Sequence, residues 1–282
     1  MTKIRILAIA LLLSLTGSFA HAGDTELTTE QLDSVASLER WANGDHRSDA
    51  HRARNQYRHP VATLLFFGLK PDMTVVELLP GGGWYTEILA PFVRDRGAFY
   101  AAGFDQDTDV DYYRRGNKAY AAKLAARPDL YDHVQVTELA PPEKLAIAPE
   151  GTADMVLTFR SLHGWMSRGQ AEAVMKAAYR ALKPGGVLGL VQHRGNPDTA
   201  QDPAAKSGYV NEDYAIELAE GAGFKLVAKS EVNANPNDDA DHPEGVWTLP
   251  PSLRLGDKDR EAYQAIGESD RMTLKFVKPT EE

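Results

Sequence analysis

The sequence predicts an α/β fold: a doubly wound, mostly parallel sheet of seven strands with helices on both faces, preceded by a helical extension. Two observations predict it. Short apolar runs alternate with amphipathic stretches between residues 74 and 192, the pattern of strands buried on both faces and linked by crossover helices. The first run, Thr74-Val75-Val76-Glu77-Leu78-Leu79, passes through Pro80 into Gly81-Gly82-Gly83. Glycines at that point let the backbone turn sharply and approach a ligand closely, just ahead of a helix whose free N–H groups point the same way.

Taken in order, Thr28 to Asn43 predicts a helix with Thr28 or Thr29 as N-cap and Gly44 as its stop. Ser48 to Arg58 predicts a second, polar helix that ends before Pro60; Val61 to Gly68 continues as an apolar segment, and Lys70-Pro71-Asp72 is a turn into the first strand. The alternation then gives strand Thr74 to Leu79, helix Trp84 to Val93, strand Ala98 to Gly103 and helix Asn117 to Ala126. Strands follow near His133 to Thr137 and Met155 to Phe159, then helix Gln170 to Leu182 and strand Val187 to Gln192. The tail changes rhythm: helix Glu212 to Ala222 and strands Phe224 to Val232 and Met272 to Val277 enclose a long segment, Asn233 to Asp270. Loops of that length in a compact domain are usually functional or disordered. Ligands of such sheets bind at the carboxyl ends of the strands.

Residues 1–22 have a basic start (Lys3, Arg5), an apolar run from Ile6 to Leu15 and small residues at Ala20-His21-Ala22. This is the order of a secretory signal, and the apolar run is too short to span a bilayer. The division predicted is therefore a signal peptide at 1–22, a helical extension at 23–70, a main domain at 71–278 and a tail at 279–282. The destination is periplasmic or secreted, without stable membrane insertion once the signal is cleaved. The formal charge of -9 becomes -11 when Lys3 and Arg5 leave, which argues against a nucleic acid partner. The chain has no cysteine, so disulfides, thiolate metal sites and a cysteine nucleophile are excluded.

Three segments together resemble the class I S-adenosylmethionine-dependent methyltransferases, over roughly Pro71 to Lys278. Glu77 followed by Pro80-Gly81-Gly82-Gly83 resembles that family's first motif, Ala153-Asp154-Met155-Val156-Leu157 its fourth strand, and Leu182-Lys183-Pro184-Gly185-Gly186 its turn into the fifth strand. The chain is most similar to exported methyltransferase-like members. The resemblance implies a Rossmann-like methyltransferase fold and S-adenosylmethionine as cofactor. It also implies that Glu77 fixes the donor's amino end, that Gly81 and Gly83 line its methionine part, and that an acid after the second strand takes the ribose hydroxyls. The family's first glycine falls on Leu79, and its ribose acid falls on Gly103 by direct spacing, with Asp105 the nearest substitute. Glu138 matches the polar residue beside the adenine amine.

Methyl transfer depends chiefly on in-line placement, and a base is needed only where the acceptor must lose a proton. His163 and His193, after the fourth and fifth strands, are the candidate catalytic residues; packing or strand capping is their alternative role. Arg160, Trp165 and Arg194 are candidates for a pocket that holds a small-molecule substrate, the arginines suiting a carboxylate or phosphate. Arg47, His51, Arg54 and Arg58 follow helical spacing as one basic stripe, open to an anionic substrate or to salt bridges. His242 and Trp247 lie in the long tail segment, which would form a lid if it folded over the sheet edge. No dense ligand spacing supports a metal. The competing functions are an exported ligand-binding protein that keeps the fold without catalysis, and an envelope-interaction protein.

Overall fold

The computed structural model describes residues 28–280, so the expected signal segment lies outside the described residues. The chain opens with α1 (Thr29–Asn43), α2 (Asp49–Arg52), α3 (Asn55–Arg58) and α4 (Pro60–Phe67). Thr28 caps α1 in a capping box with Gln31. Where the spacing predicts one helix from Ser48 to Arg58, the chain breaks between α2 and α3. The break separates His51, which reaches the buried Glu87, from Arg54 and Arg58, which reach the buried Glu268. The apolar segment after Pro60 is itself helical, with Pro60 in the first turn, where its missing N–H costs nothing.

The main body runs β1 (Thr74–Leu78), α5 (Thr86–Val93), β2 (Ala98–Gly103), α6 (Asp111–Ala126), α7 (Pro128–Tyr131), β3 (Val134–Glu138) and β4 (Ala153–Phe159). It continues through α8 (Leu162–Met166), α9 (Ala171–Ala181), β5 (Leu182–His193), α10 (Glu212–Gly221), β6 (Lys225–Ser230), α11 (Arg260–Ile266) and β7 (Arg271–Val277). The strands form one seven-stranded sheet in the order β3-β2-β1-β4-β5-β7-β6. All neighbours are parallel except those of β7, which runs antiparallel to β5 and β6. The short helices α7, α8 and α11 are absent from the sequence reading, and two bounds shift. Strand β5 begins at Leu182 and absorbs the Lys183-Pro184-Gly185-Gly186 turn, and α6 starts six residues earlier, at Asp111 rather than Asn117.

The sheet divides the core into two layers by the period-two alternation of its strands. On β1, Val75 joins one layer and Val76 and Leu78 the other; on β4, Met155 and Leu157 face the first and Val156 the second. The first layer is covered by α1, α4 and α5, the second by α8, α9 and α10. Helix α5 contains Pro91, which cannot donate to the carbonyl of Glu87 one turn back. The imidazole Nε2 of His46 takes that carbonyl instead, at 2.8 Å, so the helix interruption is filled from the N-terminal region.

This topology assembles one edge. The carboxyl ends of β1, β2, β3, β4 and β5 carry Glu77, Gly103, Glu138, Phe159 and His193. Because β7 is antiparallel, its first residue lies at that same edge, and Arg271 pairs in register with His193.

Candidate functional site

The loop after β1 holds three alternate residues in the left-handed region: Leu79 at φ 47°, Gly81 at 58° and Gly83 at 75°. Gly83 is required twice over, since a Cβ there would press on the Lys123 and Tyr120 side chains at 3.0 and 3.2 Å. Leu79 takes the same handedness without being glycine, at a cost of about 1–2 kcal/mol. The resemblance's first glycine is thus replaced in identity but kept in backbone shape. Leu79, Pro80 and Gly81 line one side of a small cleft whose other walls include Phe104, Asn117 and Tyr120.

Beneath the loop, Glu77 is 3% exposed. Its Oε2 accepts from the Thr86 hydroxyl at 2.6 Å, and that hydroxyl lies 3.1 Å from the Tyr120 phenol. Oε1 has no hydrogen-bond partner among the described residues. Burial pushes the carboxyl up to about 7, against the opposing pull of the Thr86 bond and of Arg160 and Lys123. The second oxygen therefore has acceptor capacity to spare.

Asp105 lies just beyond β2. Its Oδ1 accepts from Lys144 Nζ and from the Asp107 N–H at 2.9 Å, while its Oδ2 has no partner among the described residues. Glu138 Oε1 accepts from the same Lys144 at 2.8 Å and from the Gln106 N–H at 2.8 Å. Lys144 therefore clamps the two acids side by side. Each keeps one oxygen for a ligand hydroxyl or amine, because an ionised carboxylate has acceptor sites to spare. A cationic, hydroxyl-bearing cofactor such as S-adenosylmethionine fits the chemistry of these groups, and Glu77, the loop, Asp105 and Glu138 are the residues that would hold it.

The ends of β4 and β5 bring Arg160, His163 and His193 together. The two histidine rings are 5.7 Å apart, and the Trp247 ring lies 5.7 Å from that of His163. Gln192 Nε2 donates to the Gly208 carbonyl at 2.9 Å and meets His163 Nδ1 at 3.2 Å. A carbonyl can only accept, so Gln192 presents N–H groups, His163 Nδ1 is an acceptor and the proton of the neutral ring sits on Nε2. His163 thus keeps a donor at Nε2 that has no partner among the described residues. Burial drives it down to about 4, the Gln192 contact pulling the other way. His193, joined to Ser269 through Nδ1, is pushed well below its ordinary value by burial, then by Arg271 and the His163 and Arg160 charges. Both rings are neutral near pH 7.

Two of the sequence candidates sit elsewhere. Trp165 is 1% exposed within the second core layer, so it packs and lines no cleft. Arg194 is engaged by Asp270 at 2.8 Å, Glu231 at 2.6 Å and Glu212 at 3.5 Å; it ties β5 to β6, α10 and the chain before β7. The basic stripe is split. Arg47 and His51 bind Glu87 Oε2 at 3.1 and 2.8 Å, whereas Arg54 and Arg58 turn to Glu268. The tail segment folds onto the strand ends rather than away from them: Val246 N–H donates to the Ser207 carbonyl at 2.8 Å, and Asp238 accepts from Tyr209, from the Asp270 N–H and, at 2.8 Å, meets His242 Nε2.

Sequence reasoning missed Glu268, Ser269, Arg271 and Tyr209. The antiparallel last strand delivers the first three, and the only signal for that was the departure of the tail from the βα rhythm.

No protein-family model matches the chain, and no curated protein sequence does. Its fold is similar to that of solved structures. A SAM-dependent methyltransferase from Aquifex aeolicus aligns at 20% identity and TM-score 0.50, over 71% of this chain and 93% of that one. The 4+2 cyclase SpnF aligns at 17% identity and TM-score 0.54, over 90% and 97%. An O-methyltransferase from neocarzinostatin biosynthesis, in complex with S-adenosylmethionine and 2-hydroxy-5-methyl naphthoic acid, aligns at 14% identity and TM-score 0.50, over 81% and 56%. The strand order, the single antiparallel strand and these likenesses together give the chain the class I methyltransferase fold.

Proposed function

We propose that the protein is an S-adenosylmethionine-dependent methyltransferase acting on a small-molecule acceptor, exported by its first 22 residues to the periplasm or beyond. The observation that carries this reading is Glu77: a buried carboxyl with one idle oxygen, beneath a left-handed loop at the carboxyl edge of the central strand. Fold alone does not carry it, since a cyclase shares the architecture. Glu77 would meet the donor's ammonium, Gly81 and Gly83 its amino acid part, Asp105 Oδ2 the ribose and Glu138 the adenine. Bound there, the cofactor supplies an electrophilic methyl group. The residues after β4 and β5 then orient the acceptor: His163 donates from Nε2, and Trp247 closes one side against water. The O-methyltransferase of similar fold, in complex with the cofactor and a naphthoic acid, is in keeping with a small molecule as acceptor.

Calorimetric titration of the purified chain with S-adenosylmethionine and its demethylated product tests the reading, repeated with Glu77→Gln. Binding that the substitution weakens at least tenfold is expected; absence of binding to the unaltered chain refutes it and promotes the non-catalytic ligand-binding alternative. That alternative draws on Lys144, which already occupies one oxygen of both Asp105 and Glu138.

A further inference from the structure

At the carboxyl ends of β4 and β5 and the start of β7, three guanidinium groups bond one carboxylate and a fourth lies near them. Arg54, Arg58 and Arg271 all bond Glu268, which is 2% exposed. The fourth, Arg160, follows β4 in a left-handed conformation at φ 60°. Its backbone is fixed by an N–H bond to the Val191 carbonyl at 2.7 Å, and the preceding ring, Phe159, stacks on Tyr85 with centroids 3.5 Å apart. The Tyr85 phenol in turn donates to the Arg58 carbonyl at 3.3 Å. The guanidinium of Arg160 itself has no hydrogen-bond or ion-pair partner among the described residues and is half-buried.

The charge does not balance. Arg58 and Arg271 are 4% and 2% exposed, and Arg271 Nε is a sealed donor without a partner. Four positive groups against Glu268 leave a surplus of three; counting Glu77 as ionised leaves two. Both nearby histidines are neutral and add nothing to either side. Burial and then mutual repulsion press on the cluster: Arg58 is lowered by burial and next by Arg160, and Arg160 by burial and next by Arg271, to about 10. A guanidinium without a protein partner, beside three others that share a single carboxylate, leaves positive charge uncompensated, and its planar fork matches a carboxylate or phosphate.

We infer that the cluster of Arg54, Arg58, Arg160 and Arg271 binds an anionic carboxylate or phosphate group of the acceptor, with Arg160 as the fork that touches it. That the ligand is the acceptor rests on the methyltransferase reading; that the site takes an anion does not. The assignment explains the histidines. Where the methylated atom is an oxygen of that same anion, the O–CH3 bond would form as the sulfonium S–CH3 bond breaks, no proton would have to leave, and no base is required beside it. Two neutral imidazoles, one of them a donor, suit that task.

The test is thermal denaturation of the full chain with increasing benzoate or inorganic phosphate, against chloride at matched ionic strength. It is run on the unaltered protein, on Arg160→Gln and Arg160→Lys, and on Arg94→Gln as a remote control. The expected result is saturable stabilisation by at least one probe in the unaltered protein and in the control. Arg160→Gln should weaken the apparent affinity about tenfold or more, and Arg160→Lys, which keeps the charge and loses the fork, by less. Benzoate-selective or phosphate-selective stabilisation tells which anion the site takes. No stabilisation, or equal stabilisation in all four proteins, overturns the inference. Competition between the effective probe and S-adenosylmethionine in calorimetry also overturns it, because the cluster would then hold the donor's own carboxylate. Anion binding that needs Arg160 in a chain that binds no S-adenosylmethionine leaves the site standing and removes the methyltransferase reading.

Discussion

Replacing Glu77 by Gln keeps the shape of the side chain and an oxygen for the Thr86 hydroxyl while removing the charge. The carboxyl's ordinary value is 4.5, and burial raises it to about 7 in the folded protein. At ~1.4 kcal/mol per unit of pH, that separation is worth about 3 kcal/mol. The sign follows from proton counting. Below pH 4.5 the acid is protonated folded and unfolded alike and costs nothing. Between 4.5 and about 7 the unfolded chain sheds a proton that the folded chain keeps, so stability falls as pH rises, and above about 7 the loss is complete. Urea unfolding of both proteins at pH 4.5, 6 and 8 reads this directly: Glu77→Gln should gain on the unaltered protein by up to about 3 kcal/mol between the lowest and highest pH. Over the same range S-adenosylmethionine should bind the unaltered protein more tightly as pH rises, since its ammonium needs the ionised acid, and the Gln protein should show no such rise. A stability difference that stays flat from pH 4.5 to 8 would refute the reasoning, because Glu77 would then be solvated and not a buried receptor.

Glu87 is the opposite case: burial pushes it up, but bonds from His51 and Lys123 outweigh that and hold it at about 2. Its contribution is present above the ordinary value of 4.5 and is lost as pH falls through about 2. Glu87→Gln, which strands the fully buried Arg47, should cost about 3 kcal/mol in urea unfolding at pH 7. Lys144→Met removes the ammonium between Asp105 and Glu138; with Asp107 their oxygens lie within 4.8 Å of one another, so the variant should acquire weak calcium binding that calorimetry detects and the unaltered chain lacks. Leu79→Gly relieves the left-handed strain but frees the unfolded chain, so stability should change by less than about 1 kcal/mol. S-adenosylmethionine affinity should rise severalfold, because the side chain that lines the cleft is gone.

The fold was legible because burial on both faces of the central strands writes itself as apolar runs, and the order of Glu77, the glycine loop and Lys183-Pro184-Gly185-Gly186 fixed which sheet they build. The ligand edge followed from topology, which is why His163, His193 and Arg160, read only as residues after strands, do meet. What stayed hidden was pairing. Nothing local to Arg194 announces three acids 18, 37 and 76 residues away, and Trp165 looks the same in sequence whether it lines a cleft or fills a core. The basic stripe is salt-bridged, one of the two roles its spacing left open, but helical spacing assumes one helix, and its members divide between two buried acids, Glu87 and Glu268.

Those two acids also show what the N-terminal helices do. Trp84, the first residue after the glycine loop, is held between the guanidinium of Arg47 at 4.5 Å and that of Arg58 at 4.6 Å, and its Nε1 donates to the His51 carbonyl at 3.1 Å. Arg47 continues to Glu87 on the helix that follows the loop, and Arg58 continues to Glu268 ahead of β7. The same short stretch thus braces the glycine loop from one side and supplies half of the arginine cluster on the other. Without it, Glu87 would keep only Lys123, and Glu268 only Arg271, of the cations that hold them ionised under cover, and buried carboxylates are tolerated only when well paired. Both halves of the proposed site therefore depend on a segment that precedes the whole sheet in sequence, and neither can be assembled from the α/β core alone.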